Sequence, residues 1–196
     1  MVPMNKLDTA FYTRDDVVTI ARELLGKVLC TRIDGHLTKA VITETEAYAG
    51  GGDRASHAYG GRRTKRTEPM YREGGTAYVY LCYGIHHLFN VVTSIKDDPQ
   101  AVLVRAGSPV AGVDHMLERR GKDVIDNNLL SGPGSLACAL GIRTTLSGTS
   151  LLGRKVWIED QEIIVSTDAI VVGPRVGIDY AGEDAARPYR FRLDLR

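Results

Sequence analysis

The sequence has few cysteines and no long hydrophobic run, and both shortages narrow what the chain can be. Its three cysteines, Cys30, Cys82 and Cys138, are odd in number and form no C-x-x-C pair, which argues against a disulfide framework and a zinc ribbon. The longest apolar stretches are far shorter than a membrane span, and the N-terminus has no apolar run of signal-peptide type. We therefore expect a soluble protein of a reducing compartment, the cytoplasm.

The rest of the composition is that of an ordinary globular protein. The chain has 196 residues, of which 43% are hydrophobic and 25% charged, so it is long enough to bury a sizeable core. We see no internal repeat, linker or low-complexity tract. These features predict a single domain spanning residues 1–196.

The charge of the chain is unevenly distributed. The net charge is +1, but the segment from Arg54 to Arg72 holds six basic residues and one acidic residue, a net charge of +5, so the remainder carries −4. A basic segment of this kind binds a polyanion in some proteins and is a solvated, disordered loop in others.

The first third of the chain predicts a helix and a hairpin. Thr13 and Asp16 resemble a capping box before apolar residues at helical spacing, and Gly26 ends the run. Residues 28–32 and 39–48 are rich in β-branched side chains on either side of an Asp-Gly turn, which predicts two antiparallel strands. Residues 50–75 then predict one long connection.

The remainder predicts further strands and two helices. Residues 78–83 and 89–94 suggest a second hairpin with a broad tip, and residues 101–105 another strand. Ser108-Pro109 is expected to start a helix that ends near Arg120, and the Ser-Gly-Pro at 131–133 a second one that ends at Gly141. Short strands are predicted at 156–158, 162–165, 169–172 and 189–195.

Two glutamates share one face of the strand at 39–48. Side-chain alternation places Ile42, Glu44, Glu46 and Tyr48 on that face. One carboxylate of such a pair can activate a water while the other orients a partner, and a carboxylate beside a sugar also stabilises an oxocarbenium-like transition state. An edge strand with an exposed acidic face would carry the same pattern. The run alone therefore leaves catalysis and a surface strand both open.

Several other side chains are suited to binding. Tyr80 shares a face with Tyr78, which we expect to pack in the core, whereas Tyr83 lies beside the turn and is harder to bury. His57 is either a ligand for a planar base or a solvated surface group. Arg105 lies in an apolar strand and should pair with a carboxylate or a backbone carbonyl, and pairing with Glu46 would serve both stability and catalysis.

The adjacent histidines His86 and His87 do not predict a metal site. Neighbouring residues on an extended segment point apart, and no H-x-E, H-E-x-x-H or cysteine partner accompanies them. We therefore expect no metal.

Seven blocks, taken together in order and spacing, resemble the alkyladenine (3-methyladenine) DNA glycosylase family. The resemblance runs from about residue 24 to residue 192. The blocks are Glu44-Thr-Glu-Ala-Tyr48, the loop from Ser56-His57 to Arg66, Tyr78-Val-Tyr-Leu-Cys-Tyr-Gly84, Asn90-Val-Val, Leu103-Val-Arg-Ala, Ser131-Gly-Pro-Gly and Gly173-Pro-Arg-Val-Gly-Ile-Asp-Tyr-Ala-Gly-Glu183.

The resemblance implies a fold and an activity. The fold is a single compact α+β domain with a curved, mostly antiparallel sheet flanked by helices, and a protruding β-hairpin that enters the DNA minor groove. The activity is that of a monofunctional DNA glycosylase of base excision repair. Such an enzyme flips damaged purines out of double-stranded DNA, acts as a monomer and uses no cofactor.

The resemblance also implies residue roles in the pocket. By position, Glu46 matches the general base and Arg105 the arginine that helps hold the nucleophilic water. Tyr48, His57 and Tyr80 match the residues that enclose the flipped base. Asn90 matches the pocket residue that disfavours guanine through its exocyclic amine.

At the DNA surface, Tyr83 matches the residue that intercalates where the nucleotide has left the helix. The positions that match the DNA-facing loop and hairpin tip are Arg62, Thr64, Arg66, Ile85 and His86. Three residues depart from the family pattern: Ile85 stands where methionine is frequent, Ser135 where lysine is common, and Cys82 is unusual.

Two other functions remain open from the sequence. A hydrolase of free nucleosides or small glycosides would use Glu44 and Glu46 as an acid–base pair. It would not need the basic segment from Arg54 to Arg72, which we call the basic loop. A non-catalytic DNA or RNA binder would need the basic loop but no catalytic carboxylate.

Overall fold

The computed structural model describes residues 5–194 as one antiparallel sheet with helices packed against it. The helices of this part of the chain are α1 (Thr9–Tyr12), α2 (Val17–Glu23), α3 (Val113–Arg120) and α4 (Pro133–Ala139). The strands are β1 (Val28–Ile33), β2 (His36–Tyr48), β3 (Thr76–Cys82), β4 (His86–Thr93), β5 (Gln100–Ala111), β6 (Val156–Glu159), β7 (Ile170–Gly173) and β8 (Arg190–Leu193).

The sheet curls into half a barrel in a single compact α+β domain, which confirms the predicted fold class. Its strands follow the order β3-β4-β5-β2-β1-β6, with β8 paired to β2 and β7 paired to β8, and every pairing is antiparallel. Side chains from α2 and α4 pack with the sheet in the main apolar core. None of the helices within residues 5–194 is long and apolar enough to cross a membrane.

Strand β2 lies in the interior of the sheet rather than at an edge. Strand β5 pairs along one side of β2, while β1 pairs with its first half and β8 with Glu44, Thr45 and Glu46 on the other side. Glu46 is fully buried and the Glu44 side chain is 12% exposed, so their face of the strand is not a solvent surface. The surface-strand alternative for the two glutamates is therefore wrong.

A bulge in β2 changes which side chains share a face. The register with β5 shifts on both sides of Glu44, so the strict two-residue alternation is broken there. As a result Ile42 is buried in the same core as Ala47, and its predicted placement beside the two glutamates is wrong.

The second hairpin is present but tighter than predicted. Strands β3 and β4 stay paired up to Cys82 and His86, so the loop consists of Tyr83, Gly84 and Ile85 rather than a broad tip. The amide of Ile85 donates to the Cys82 carbonyl at 3.2 Å. Tyr83 and Gly84 both have positive φ, 52° and 76°, and the glycine accepts this conformation without strain.

Three other element predictions need correction. Ser108 and Pro109 lie within β5 and do not start a helix, because the strand continues beside β2 and Pro109 pairs where the register is irregular. The N-cap of α2 is Asp16, whose carboxylate accepts from two backbone amides, and not Thr13. Residues 162–165 form no strand.

The first hairpin, α4 and the strands near 156–158, 169–172 and 189–195 are confirmed; residue 195 lies outside the described residues.

The two glycines that bound α3 allow a matched stability test. Gly112 and Gly121 both have left-handed backbone conformations, with φ 71° and 61°. An added Cβ at Gly112 would lie 2.2 Å from the Leu37 carbonyl oxygen, whereas at Gly121 it would meet nothing within 4 Å. The left-handed conformation costs an alanine about 1–2 kcal/mol at either position.

We predict that Gly112→Ala lowers the free energy of unfolding by about 1–3 kcal/mol more than Gly121→Ala, because only the first adds overpacking against backbone. Urea unfolding followed by circular dichroism measures both losses. Equal losses would show that the Leu37 contact relaxes freely.

Candidate active site

Glu46 is a fully buried carboxylate with three hydrogen-bond donors. Its Oε2 atom accepts from the Tyr48 hydroxyl at 2.9 Å and from Nη1 of Arg105 at 3.3 Å. Its Oε1 atom accepts from the backbone amide of Val176 at 2.8 Å. A buried charge is tolerated only with such partners, and the predicted pairing of Arg105 with Glu46 is present.

The charges around Glu46 keep its partners in defined protonation states. Burial, reinforced by the charge of Glu46, raises the pKa of Tyr48 well above its ordinary value, so its hydroxyl stays a donor. Burial lowers the pKa of Arg105, but the attraction of Glu46 and Glu44 outweighs it and the net shift is upward. Arg105 therefore stays a cation beside the carboxylate.

Glu44 belongs to a separate ion-pair network behind Arg105. Its Oε1 atom accepts from Nε of Arg105 at 2.8 Å and from Nε of Arg190 at 2.7 Å. Glu44 is not among the residues that line the cavity beside Arg105. Its carboxylate thus orients the arginine that contacts Glu46.

A cavity of about 470 Å³ opens next to this cluster. All three donors to Glu46 line it, and Glu46 lies directly behind them. Its other walls carry the predicted base-pocket residues and the hairpin, namely His57, Tyr80, Asn90, Leu81, Cys82 and Tyr83. The volume and the aromatic lining suit a planar ligand.

His57 is half-buried in this wall and held by neighbouring side chains. Its Nδ1 lies 2.8 Å from the Tyr78 hydroxyl, and its ring meets that of Tyr80 edge-on, with 4.6 Å between centroids. The Arg66 guanidinium lies 3.4 Å from Nε2. Since a guanidinium only donates, Nε2 accepts and we assign the ring proton to Nδ1, donating to Tyr78. The alternative of a solvated surface histidine is wrong.

Asn90 is held rigidly in the wall of the cavity. It is buried, and its Nδ2 atom donates to the carbonyls of Tyr78 and Leu88 at 3.1 and 3.4 Å. These bonds fix the amide plane, so the side chain cannot withdraw from a ligand. Tyr78 itself packs in an apolar cluster with Met70 and Tyr71, as expected.

The hairpin tip presents apolar side chains to solvent beside the cavity. Tyr83 is 91% exposed and Ile85 is 71% exposed. A tyrosine with positive φ has a strained backbone, and at an exposed position no burial of its side chain offsets that strain. Such an arrangement is typical of a side chain that packs against a binding partner.

The basic loop is anchored at both ends rather than loosely solvated. Asp53 forms a fully buried ion pair with Arg175 near the start of the loop, and Thr67 bonds back to Arg62 and Thr64 near its end.

Three of the predicted DNA-facing residues are exposed in this loop. They are Arg62, Thr64 and Arg66. The Arg66 guanidinium lies 5.1 Å from the centre of the Tyr80 ring, so it reaches the rim of the cavity.

His86 and His87 both contact the chain around α4. A Cβ added at Gly134 would lie 3.0 Å from the His86 ring, and Nδ1 of His87 accepts from the Thr144 amide at 3.2 Å. Across residues 5–194, no three histidine, cysteine, aspartate or glutamate side chains lie close enough together to hold a metal ion.

The sequence predictions missed two contributors to the site. Val176 supplies a backbone amide, which no side-chain pattern reveals, and Arg175 stacks 4.8 Å from the centre of the Tyr48 ring while pairing with Asp53. Both lie in the Gly173–Glu183 block, whose resemblance was the available signal. Tyr180, which is 70% exposed at the cavity rim, lies in the same block.

The pKa of His57 provides a direct test of this geometry. Burial, followed by the charges of Arg66 and Arg62, lowers this pKa from 6.5 to about 4. We predict that the His57 resonance in a proton NMR titration of the folded protein has its midpoint near pH 4. Because the unfolded state binds this proton more readily, the contribution of His57 to stability falls as the pH drops from about 6.5 towards 4.

Arg66→Ala should move this midpoint upward and Arg66→Lys should move it less, because only the first variant removes the cation. A midpoint near 6.5 in the native protein would contradict the burial and the contacts assigned to His57.

Comparison with known proteins identifies the family of this chain. The family model for methylpurine-DNA glycosylase matches residues 10–195. A protein of Chlamydia felis is 44% identical over 97% of this chain and 97% of its own length, and one of Desulfitobacterium hafniense is 45% identical over 97% and 96%. Both are named as proposed 3-methyladenine DNA glycosylases. The chain therefore belongs to the methylpurine-DNA glycosylase family, whose members hydrolyse N-glycosyl bonds.

Proposed function

We propose that this protein removes alkylated or deaminated purines, of the class of 3-methyladenine, 7-methylguanine, hypoxanthine and ethenoadenine, from double-stranded DNA. It flips the damaged nucleotide into the cavity, hydrolyses the bond between base and sugar with a water activated by Glu46, and leaves an abasic site. The observation that carries this proposal is the buried Glu46 carboxylate directly behind an aromatic cavity of base size.

Glu46 has a hydrogen-bonding position left for the proposed water, which reaches the fully buried side chain when the donors that line the cavity shift. Each carboxylate oxygen has two lone-pair positions, and within residues 5–194 the Oε1 atom accepts one hydrogen bond, from Val176. A water on the cavity side donates to the remaining position. Arg105 and Tyr48 hold the other oxygen, Oε2, so the carboxylate cannot rotate away from this water.

The reaction balances with groups of this chain and one water. The water oxygen forms a bond to the anomeric carbon, the glycosidic bond breaks with its electron pair passing to the purine, and the water proton moves to Glu46. The carboxylate also stabilises the positive charge that develops on the sugar. A purine alkylated at N3 or N7 already carries positive charge and leaves as a neutral base, whereas the uncharged hypoxanthine and ethenoadenine take up a proton from solvent to leave as neutral bases.

Selection of damaged bases rests on the cavity walls. Tyr48, His57 and Tyr80 stack on the flipped base, and the Tyr78 and Arg66 contacts that occupy both ring nitrogens of His57 hold its ring in place. The immobile Asn90, whose amide is held by two carbonyls, disfavours guanine bases through their exocyclic amine without excluding them, so 7-methylguanine, with its weakened glycosidic bond, is still released.

The exposed surface around the cavity holds the duplex. Tyr83 fills the space vacated by the flipped nucleotide, with Ile85 and His86 beside it. Arg62, Thr64 and Arg66 contact the phosphates near the cavity rim.

A glycosidase that uses Glu44 and Glu46 as an acid–base pair is not favoured. The Glu44 carboxylate is bound by the guanidiniums of Arg105 and Arg190 and does not line the cavity, so it is not placed to act on a ligand there.

Replacement of Glu46 tests the chemistry directly. We predict that Glu46→Gln still binds duplexes that each contain one of the four lesions but releases no detectable base, because an amide cannot accept the proton of water. Base release is measured under single-turnover conditions and binding by electrophoretic mobility shift.

The matched control is Glu159→Gln, which changes another buried strand carboxylate outside the cavity, bound by Lys39 and Trp157. We expect this variant, where folded, to retain base release. Native-like release by Glu46→Gln, or failure of the native protein to release any of the four bases, would rule out the proposal.

Tyr83 tests how the flipped nucleotide is held out of the helix. We predict that Tyr83→Ala weakens capture of the lesion by about 1–3 kcal/mol, the usual contribution of an aromatic stack, while Tyr83→Phe retains most of it. Lesion binding is followed by the fluorescence of an ethenoadenine duplex. Unchanged capture and single-turnover excision by Tyr83→Ala would eliminate the wedge role.

A further inference from the structure

A second, larger cavity lies on the other side of the hairpin tip. Its volume is about 680 Å³, and it is bounded by Ile85, His86 and His87 of the hairpin and by the chain around α4. The base cavity opens beside Tyr83. The exposed tip therefore stands between the two cavities.

Basic side chains dominate this second cavity, which we call the basic groove. Arg32, Arg119, Arg120, Arg143 and Lys155 all line it, against a single acidic residue, Asp34. Among the ion pairs of residues 5–194, none involves any of these five cations. Arg119 and Arg120 bond to backbone carbonyls, which leaves their charge uncompensated.

The basic groove is fixed relative to the hairpin. His87 accepts a hydrogen bond from the amide of Thr144, the residue after Arg143, and α4 packs closely on His86, since a Cβ added at Gly134 would lie 3.0 Å from the His86 ring. Arg143 is thus held at a constant position with respect to Tyr83 and Ile85.

Resting on the proposed function, we infer that the basic groove binds the sugar–phosphate backbone of the duplex on the side of the tip away from the base cavity. A duplex wedged open at Tyr83 continues in both directions from the tip, and the predicted basic loop reaches only the cavity side. Unpaired cations in a concave surface attract a polyanion and release its counterions. Arg143, Lys155 and Arg32 are exposed and contact phosphates, while Arg119 and Arg120 line the interior of the groove.

The salt dependence of DNA binding tests this inference. We predict that Arg143→Ala and Lys155→Ala each reduce the slope of log affinity against log salt by about 0.9, the value for one lost phosphate contact. The probe is an undamaged duplex that extends beyond the tip in both directions, followed by fluorescence anisotropy. Arg143→Lys should keep the native slope, because it preserves the charge.

The matched control is Lys96→Ala, which removes one exposed cation from the turn that follows β4, at the end of the hairpin opposite the tip. Groove variants with the slope and affinity of Lys96→Ala would overturn the inference.

A base-release assay separates this outcome from failure of the proposed function. At low salt and saturating enzyme, Arg143→Ala and Lys155→Ala should release base at the native single-turnover rate, because neither residue lines the base cavity. Loss of the groove effect with intact base release would reject only the groove, whereas absence of base release by the native protein would reject the enzyme.

Discussion

The architecture around the active site depends on burying one carboxylate without leaving its charge uncompensated. Removing one partner of a buried ion pair costs about 3–5 kcal/mol, so Glu46 requires Arg105. Arg105 is oriented in turn by Glu44, and Glu44 is held by Arg190. These side chains come from β2, β5 and β8, three strands that lie side by side. The sheet order is thus the arrangement that brings the compensating charges to Glu46, and the proposed catalysis depends on the same contacts as stability.

The hairpin tip differs from Glu46 in that it is exposed to solvent. Tyr83 buries almost nothing and has a strained backbone, so its conformation gains no stability from the isolated protein. The rigid pairing of β3 with β4 up to Cys82 supports the tip from below. The cavity proposed to bind the base and the tyrosine proposed to act as a wedge are therefore joined by one continuous hairpin, which fixes the position of Tyr83 relative to the cavity.

Local patterns predicted this fold well where one strand or helix determines its own environment. The first hairpin follows from Asp34-Gly35, and the position of Arg105 in an apolar strand predicted that it needs a buried polar partner, with Glu46 among the candidates. The failures arise where pairing between strands decides: the bulge that moves Ile42 into the core, and the register that keeps Ser108 and Pro109 in β5. Neither register nor bulge is encoded by propensity alone.

The basic groove shows that local sequence patterns also fail to locate a cluster of charges that only the fold brings together. A count of charged residues along the sequence located the basic loop because its cations are close together in the sequence. The same count assigned a net negative charge to the rest of the chain. Outside the loop, however, many carboxylates are engaged in ion pairs of their own, such as Glu159 with Lys39 and Asp160 with Lys27. The cations of the groove come from β1, α3 and the segments that follow α4 and precede β6, so only folding brings them together. Since the field of exposed charges is screened within about 8–10 Å at physiological salt, a passing duplex responds to these local clusters and not to the net charge of +1.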